Sequence, residues 1–175
     1  MKHFKALKVV PATPEHGKLF LQQEVREADV NEWVMGSGGV KLPVLLSRIW
    51  KDRYPASTLP RALVTMDESE CLALWGVSIP EYATTAYVWL IASVAAERHP
   101  IAIHRFGAQE LGLMHIFGGD RLEALVLERN HLHVKWLAMM GFRKEENISL
   151  LPHMPPLWGR YARTTNYQED LTPCA

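Results

Sequence analysis

Asn130-His-Leu-His-Val-Lys-Trp-Leu-Ala-Met-Met-Gly141-Phe142, following Leu122-Glu-Ala-Leu-Val-Leu127, is the stretch that decides the fold. Leu122 to Glu128 reads as a strand of nearly continuous apolar residues. Asn130 is a strong helix N-cap residue, so a short helix is expected to begin at once. Gly141 ends it, because glycine takes the left-handed conformation that a helix C-terminus often requires. Phe142 then opens a further strand. Leu132, Trp136, Met139 and Met140 recur at three- and four-residue steps and are expected to share the apolar face of the helix, with Lys135 on the other side.

Upstream, Phe4 to Val10 reads as a strand. Thr13, Pro14 and Glu15 mark a helix start, as N-cap, first-turn proline and acidic first-turn residue. Leu19, Phe20, Val25 and Ala28 can line a helical face. The same segment carries Arg26, Glu27, Asp29, Asn31 and Glu32, the densest cluster of acid–base groups in the chain. After the break Gly36-Ser-Gly-Gly39, Leu42 to Trp50 reads as a helix. Ala62 to Met66, Cys71 to Val77 and Tyr87 to Ala92 read as strands, the second of them apolar enough for both faces to be covered. Gly76 inside it suggests a bulge. Pro100 to Phe117 reads as a helix, weakened at Gly107 and Gly112 by about 1 kcal/mol each. Arg143 to Leu151 reads as a last strand. The resulting order is α/β (α+β), a single domain over residues 1–151 followed by a Pro- and aromatic-rich tail, 152–175, in which Trp158 is expected at a surface or contact.

Composition narrows the function. The chain has 175 residues, enough for a substantial core, with 19 basic and 19 acidic side chains. That balance argues against a dedicated nucleic-acid binder, which carries a basic excess. No apolar run of about 18 residues or signal-peptide pattern is visible, so no membrane partner is expected. Cys71 and Cys174 have neither disulfide-framework nor metal spacing, which fits a reducing compartment. His99, His104 and His115 lack ligand spacing, and His131 and His133 point in different directions on a helix, so no metal is expected. There is no Gly-x-Ser-x-Gly for a hydrolase, and no Lys-Ser/Thr follows Gly36-Ser-Gly-Gly39 as in a phosphate loop. Trp33, Trp50, Trp75, Trp89 and Trp136 are expected in the core.

The strand–Asn–helix–Gly–Phe unit resembles the C-terminal part of the GNAT acyltransferase fold, in which Asn130, Gly141 and Phe142 match the family pattern. With Leu74-Trp-Gly-Val77 and Val88-Trp-Leu-Ile-Ala-Ser93 further back, residues 7 to 150 look most like the short GNAT-like proteins of T7-type tailed phages, internal virion protein A or phage acetyltransferase-like chains. The resemblance implies a mixed, mainly antiparallel sheet flanked by helices. It also implies transfer of an acetyl group from acetyl-CoA to an amine acceptor, either protein or small molecule. The setting it implies is the cytoplasm of an infected bacterial host, or the virion.

By the same resemblance, the strand with Val88, Leu90 and Ile91 holds the pantetheine arm. The turn from Ser93 to His99 receives the pyrophosphate, and Asn130 faces the cofactor groove. The chain departs from the family there: no glycine lies between Ser93 and Phe106, which leaves Arg98, His99, His104 and Arg105 to supply charge and a helix N-terminus near Pro100 to supply N–H groups, the alternative being a solvated basic loop and helix start. Leu137 stands where the family carries its catalytic Tyr, and His133 replaces a small residue. His133 either substitutes as the acid or hydrogen-bonds a neighbouring strand end. Glu32 or Asp29, in the acceptor-side segment, is the candidate general base, the alternative being charges on a solvated helix face. A second reading keeps the scaffold without the chemistry, as a protein that binds a host or virion protein.

Overall fold

The computed structural model describes residues 6–51, 60–79, 85–118, 120–150 and 157–164. Seven strands form one sheet: β1 (Leu7–Pro11), β2 (Arg61–Thr65), β3 (Cys71–Ser78), β4 (Thr85–Ala92), β5 (Arg121–Leu127), β6 (Arg143–Ile148) and β7 (Trp158–Thr164). Their spatial order is β1-β2-β3-β4-β5-β7-β6, and every neighbouring pair is antiparallel except β4 with β5. The helices are α1 (Pro14–Leu21), α2 (Glu27–Gly36), α3 (Leu42–Lys51), α4 (Pro100–Gly118) and α5 (His131–Met139), with a 3-10 turn at Val94–Arg98 between β4 and α4.

Two apolar layers follow from strand alternation. Ala62, Val64, Leu74 and Ile91 pack with Phe20 of α1 and with Leu42 and Leu46 of α3. Leu63, Ala73, Trp75, Ala124 and Val126 pack on the opposite layer with Leu111 and Met114 of α4, with Leu137 of α5 and with Met140 just after it. The sheet therefore carries α1–α3 on one face and α4–α5 on the other.

The deciding stretch folds as expected at its ends. Asn130 caps α5 by accepting the backbone N–H of His133, and Gly141 has φ +82. Its buried face differs from the apolar reading. His133, Leu137 and Met140 point inward, whereas Leu132 and Met139 are exposed. The inward stripe begins with a histidine, so counting apolar residues alone rotates the helix.

Three further expectations are corrected. Val25 is not on a helix but forms an antiparallel bridge with Ser93, and Ala28 faces out. The β3–β4 register runs unbroken past Gly76, which sits opposite Trp89; the irregularity lies in β2 instead, between Leu63 and Val64. The stretch read as a tail supplies β7, which pairs with β5 on one side and β6 on the other and buries Trp158. Trp75 is in the core and Trp33, Trp89 and Trp136 are half-buried, while the side chain of Trp50 lies outside the described set.

Candidate active site

The β4–β5 ladder is short. Only Thr85, Ala86 and Tyr87 pair, with Arg121, Leu122 and Glu123. Beyond Tyr87 the two strands diverge, and a cavity of about 1010 Å³ opens between them. It draws side chains from both faces of the sheet, Trp33 and Leu45 from one and Leu111 and Trp136 from the other. The divergence is thus a passage through the sheet.

Helix α2 closes one end of this opening with charge. Its inward face is not apolar: Asp29 and Glu32, three residues apart and therefore on one side, are buried, together with Arg26 just before the helix. The expectation of a solvated charged face holds for Glu27 and not for these three. Asp29 accepts the backbone N–H of Ala92 on β4 at 2.8 Å, and Glu32 Oε2 accepts that of Leu127 on β5 at 3.2 Å. One helix face thus ties the separated strands together through their unpaired N–H groups.

Arg26 Nη2 lies 2.7 Å from each Asp29 oxygen, with Nε at 3.2 Å from Oδ2. The same Nη2 is 2.6 Å from His133 Nε2. A guanidinium nitrogen carries only donors, so it donates to Nε2; the Asn130 amide nitrogen, also a donor, lies 3.0 Å from Nδ1. The longer approach of Asp29 Oδ1 to Nε2, 3.3 Å, is then a side contact. Nδ1 faces Glu32 Oε1 at 3.4 Å. The same Asn130 nitrogen lies 3.3 Å from Asp29 Oδ1 and 3.0 Å from Glu32 Oε2, so its two protons are shared among three neighbours.

This network separates the expected catalytic residues. Glu32 and His133 line the cavity. Two donors already occupy Glu32 Oε2, whereas Oε1 has only the long contact to His133, so Oε1 is the oxygen left to take a proton. Asp29 is fully buried, has both oxygens committed to Arg26 and Ala92, and is outside the cavity wall. It anchors the site and does not serve as its base.

The expected groove residues also divide. Ala92 directs its N–H to Asp29 and its C=O to Arg26 N, while Ser93 N binds Leu72 O in the sheet. By ladder alternation, Val88 and Leu90 direct their backbone groups to the open side, and both line the cavity. Leu90 O already accepts the Trp33 indole at 3.1 Å. Ile91 does not reach the groove: its side chain is fully buried with α1 and α3. Ser93 is fully buried. Asn130 is spent on the cap and the carboxylates, so it does not face a cofactor. At the turn, the N–H groups of Val94, Ala96 and His99 bind Glu24, Ser93 and Ala96 carbonyls, while Arg98 is exposed. The sequence allows Arg26 to pair with Glu27 or Asp29 or to bind an anionic acceptor; it pairs with Asp29, at the i,i+3 spacing, and also reaches His133.

No protein-family model matches the chain, and no curated protein matches it. Solved structures do. The GNAT domain of S. lividans PAT superposes with a TM-score of 0.67 at 14% identity, over 94% of this chain and 99% of that one. Spermidine N-acetyltransferase from Vibrio cholerae, in complex with CoA and spermine, gives 0.63 at 11%, over 90% and 95%. An acetyltransferase of the GNAT family from Bacillus anthracis gives 0.62 at 13%, over 91% and 94%. The chain has the GNAT fold.

Proposed function

We propose that this chain is an N-acyltransferase that moves an acetyl group from acetyl-CoA to an amine, with Glu32 as general base. One observation carries the reading: β4 and β5 part after Tyr87 and open a passage through the sheet, with Glu32 in its wall. Two substrates can then meet from opposite faces without a covalent enzyme intermediate. Alignment of this kind, together with a positioned base, accounts for much of the rate of such a transfer.

The residues fit the amide-rich arm of an acyl-CoA along part of the groove. Val88 offers its outward N–H and C=O and Leu90 its N–H, and among the described residues the buried indole N–H groups of Trp75 and Trp136, both cavity-lining residues, have no partner. Arg98 and His99 at the turn would carry the phosphates. When bound, the acyl-CoA supplies the thioester carbon that bonds to the amine nitrogen as the C–S bond breaks. Glu32 Oε1 takes one proton from the entering ammonium and passes it to water. The second nitrogen proton goes to the departing sulfur, so the products are an amide, a free thiol and one released proton. The Leu127 N–H and the Asn130 amide hold Glu32 in place, and Arg26 holds His133 beside it. No side chain at position 137 supplies the acid, because it is leucine.

The phage setting, in a host cytoplasm or a virion, rests on the resemblance of residues 7 to 150, and a host or phage protein is one form the amine acceptor can take. Among the described residues, no helix is long and apolar enough to cross a membrane. The test is release of CoA thiol from acetyl-CoA with a panel of amines. Glu32→Gln should lower kcat by about 10²–10⁴ and leave acetyl-CoA affinity unchanged. Turnover unaffected by this substitution would remove Glu32 from the reaction.

A further inference from the structure

We infer that the acceptor is a monoamine carried on an aromatic or bulky apolar body, and not a polyamine. This rests on the acyltransferase reading for its chemistry, but not for its binding. Five of the chain's six tryptophans, Trp33, Trp75, Trp89, Trp136 and Trp158, line the one cavity at the sheet opening. On the α2–α3 side, where Glu32 enters, the wall is built from Trp33, Trp89, Trp158 and Leu45. Trp33 and Trp89 meet edge to face, with centroids 5.6 Å apart at 81°. The Trp33 indole is fixed to β4 by its hydrogen bond to Leu90 O. The wall is therefore rigid before a ligand arrives, which favours flat or compact apolar groups over flexible chains. Gly36 permits it, since a Cβ there would lie 3.1 Å from the Trp158 ring.

Charge sets the rest. A single ammonium has Glu32 Oε1 beside it and indole faces around it, and both attract a cation. A second or third ammonium on the same ligand would be buried against tryptophan and leucine with no further counter-ion among the described residues, which is unfavourable. Among the described residues, the other carboxylate in the cavity wall, Glu110, belongs to α4 on the far face. It is already held by Arg61, with Nε at 2.6 Å and Nη2 at 3.3 Å. The cavity thus offers one anionic end and an apolar body.

The experiment titrates the full chain with 2-phenylethylamine and with spermine, without acyl-CoA, following tryptophan fluorescence and heat. Acetyl transfer to each is measured separately. The expected result is 2-phenylethylamine binding at least 10-fold tighter than spermine, weakened at least 10-fold by Glu32→Gln and by Trp89→Leu, with circular dichroism unchanged in both variants. Spermine binding as tightly as 2-phenylethylamine overturns the inference, as does a Glu32→Gln chain that remains folded and binds the monoamine undiminished. Selective monoamine binding without acetyl transfer would keep the ligand class and remove the acyltransferase reading. Acetyl transfer to spermine in preference to 2-phenylethylamine would do the reverse.

Discussion

The carboxylate of Asp29 accepts the backbone N–H of Ala92 at 2.8 Å, so a helix side chain occupies a hydrogen-bonding position that a neighbouring strand would otherwise fill. Because Asp29 is fully buried and bonded to Arg26, each single truncation strands a charge. Asp29→Leu and Arg26→Met should each lower stability by about 3–5 kcal/mol. The double variant should lose much less than the sum, since the two residues share one network. Urea unfolding of the four chains measures this. Additive losses would mean that the pair is not coupled.

Two glycines of α4 should respond oppositely to alanine. At Gly107 a Cβ would lie 2.6 Å from the Trp136 ring and 3.1 Å from the Met140 side chain, whereas nothing lies within 4 Å at Gly112. Gly112→Ala should therefore gain about 0.5–1 kcal/mol of helix propensity. Gly107→Ala should lose about 1–2 kcal/mol as overpacking outweighs that gain. Thermal unfolding of the two variants tests the sign of each.

Burial pushes the Cys71 thiol up to about 12 from an ordinary 9.0. Burial and the Glu128 carboxylate push the Tyr161 phenol up to about 12 from 10.0. In both groups the fold favours the protonated form. The stability they contribute is complete below the unfolded values and is lost as pH rises from about 9 toward 12. Unfolding midpoints should fall across that window. On a Cys174→Ser background, a disulfide reagent at pH 8 should label Cys71 only as fast as the chain opens. Immediate labelling of the native chain would show that β3 is not sealed.

Much of this was legible beforehand. Asn130 and Gly141 bracket α5 because capping chemistry is local, and the apolar runs at 71–77 and 122–127 announce strands buried on both faces. Glu32 and His133 were readable as candidates from residue type and the family pattern. Two things were not. The inward face of α2 is made of Arg26, Asp29 and Glu32, so a search for apolar periodicity treats it as surface. Only contact with Ala92 and Leu127, more than sixty positions away, makes it interior. β7 reads as tail because Trp158-Gly-Arg-Tyr-Ala-Arg-Thr164 is interrupted by charge; Arg160 is accommodated by its ion pair with Glu146 of β6, and Arg163 by donating to the Met140 carbonyl at the end of α5.

The most direct test of the central claim is a calorimetric titration of the full chain with acetyl-CoA. Micromolar binding, retained in Glu32→Gln, is the expected result and would place the thioester at the opening beyond Tyr87. Heats indistinguishable from dilution at millimolar ligand would contradict it, and would mean that the Arg26–Asp29 closure against Ala92 leaves no groove for the cofactor.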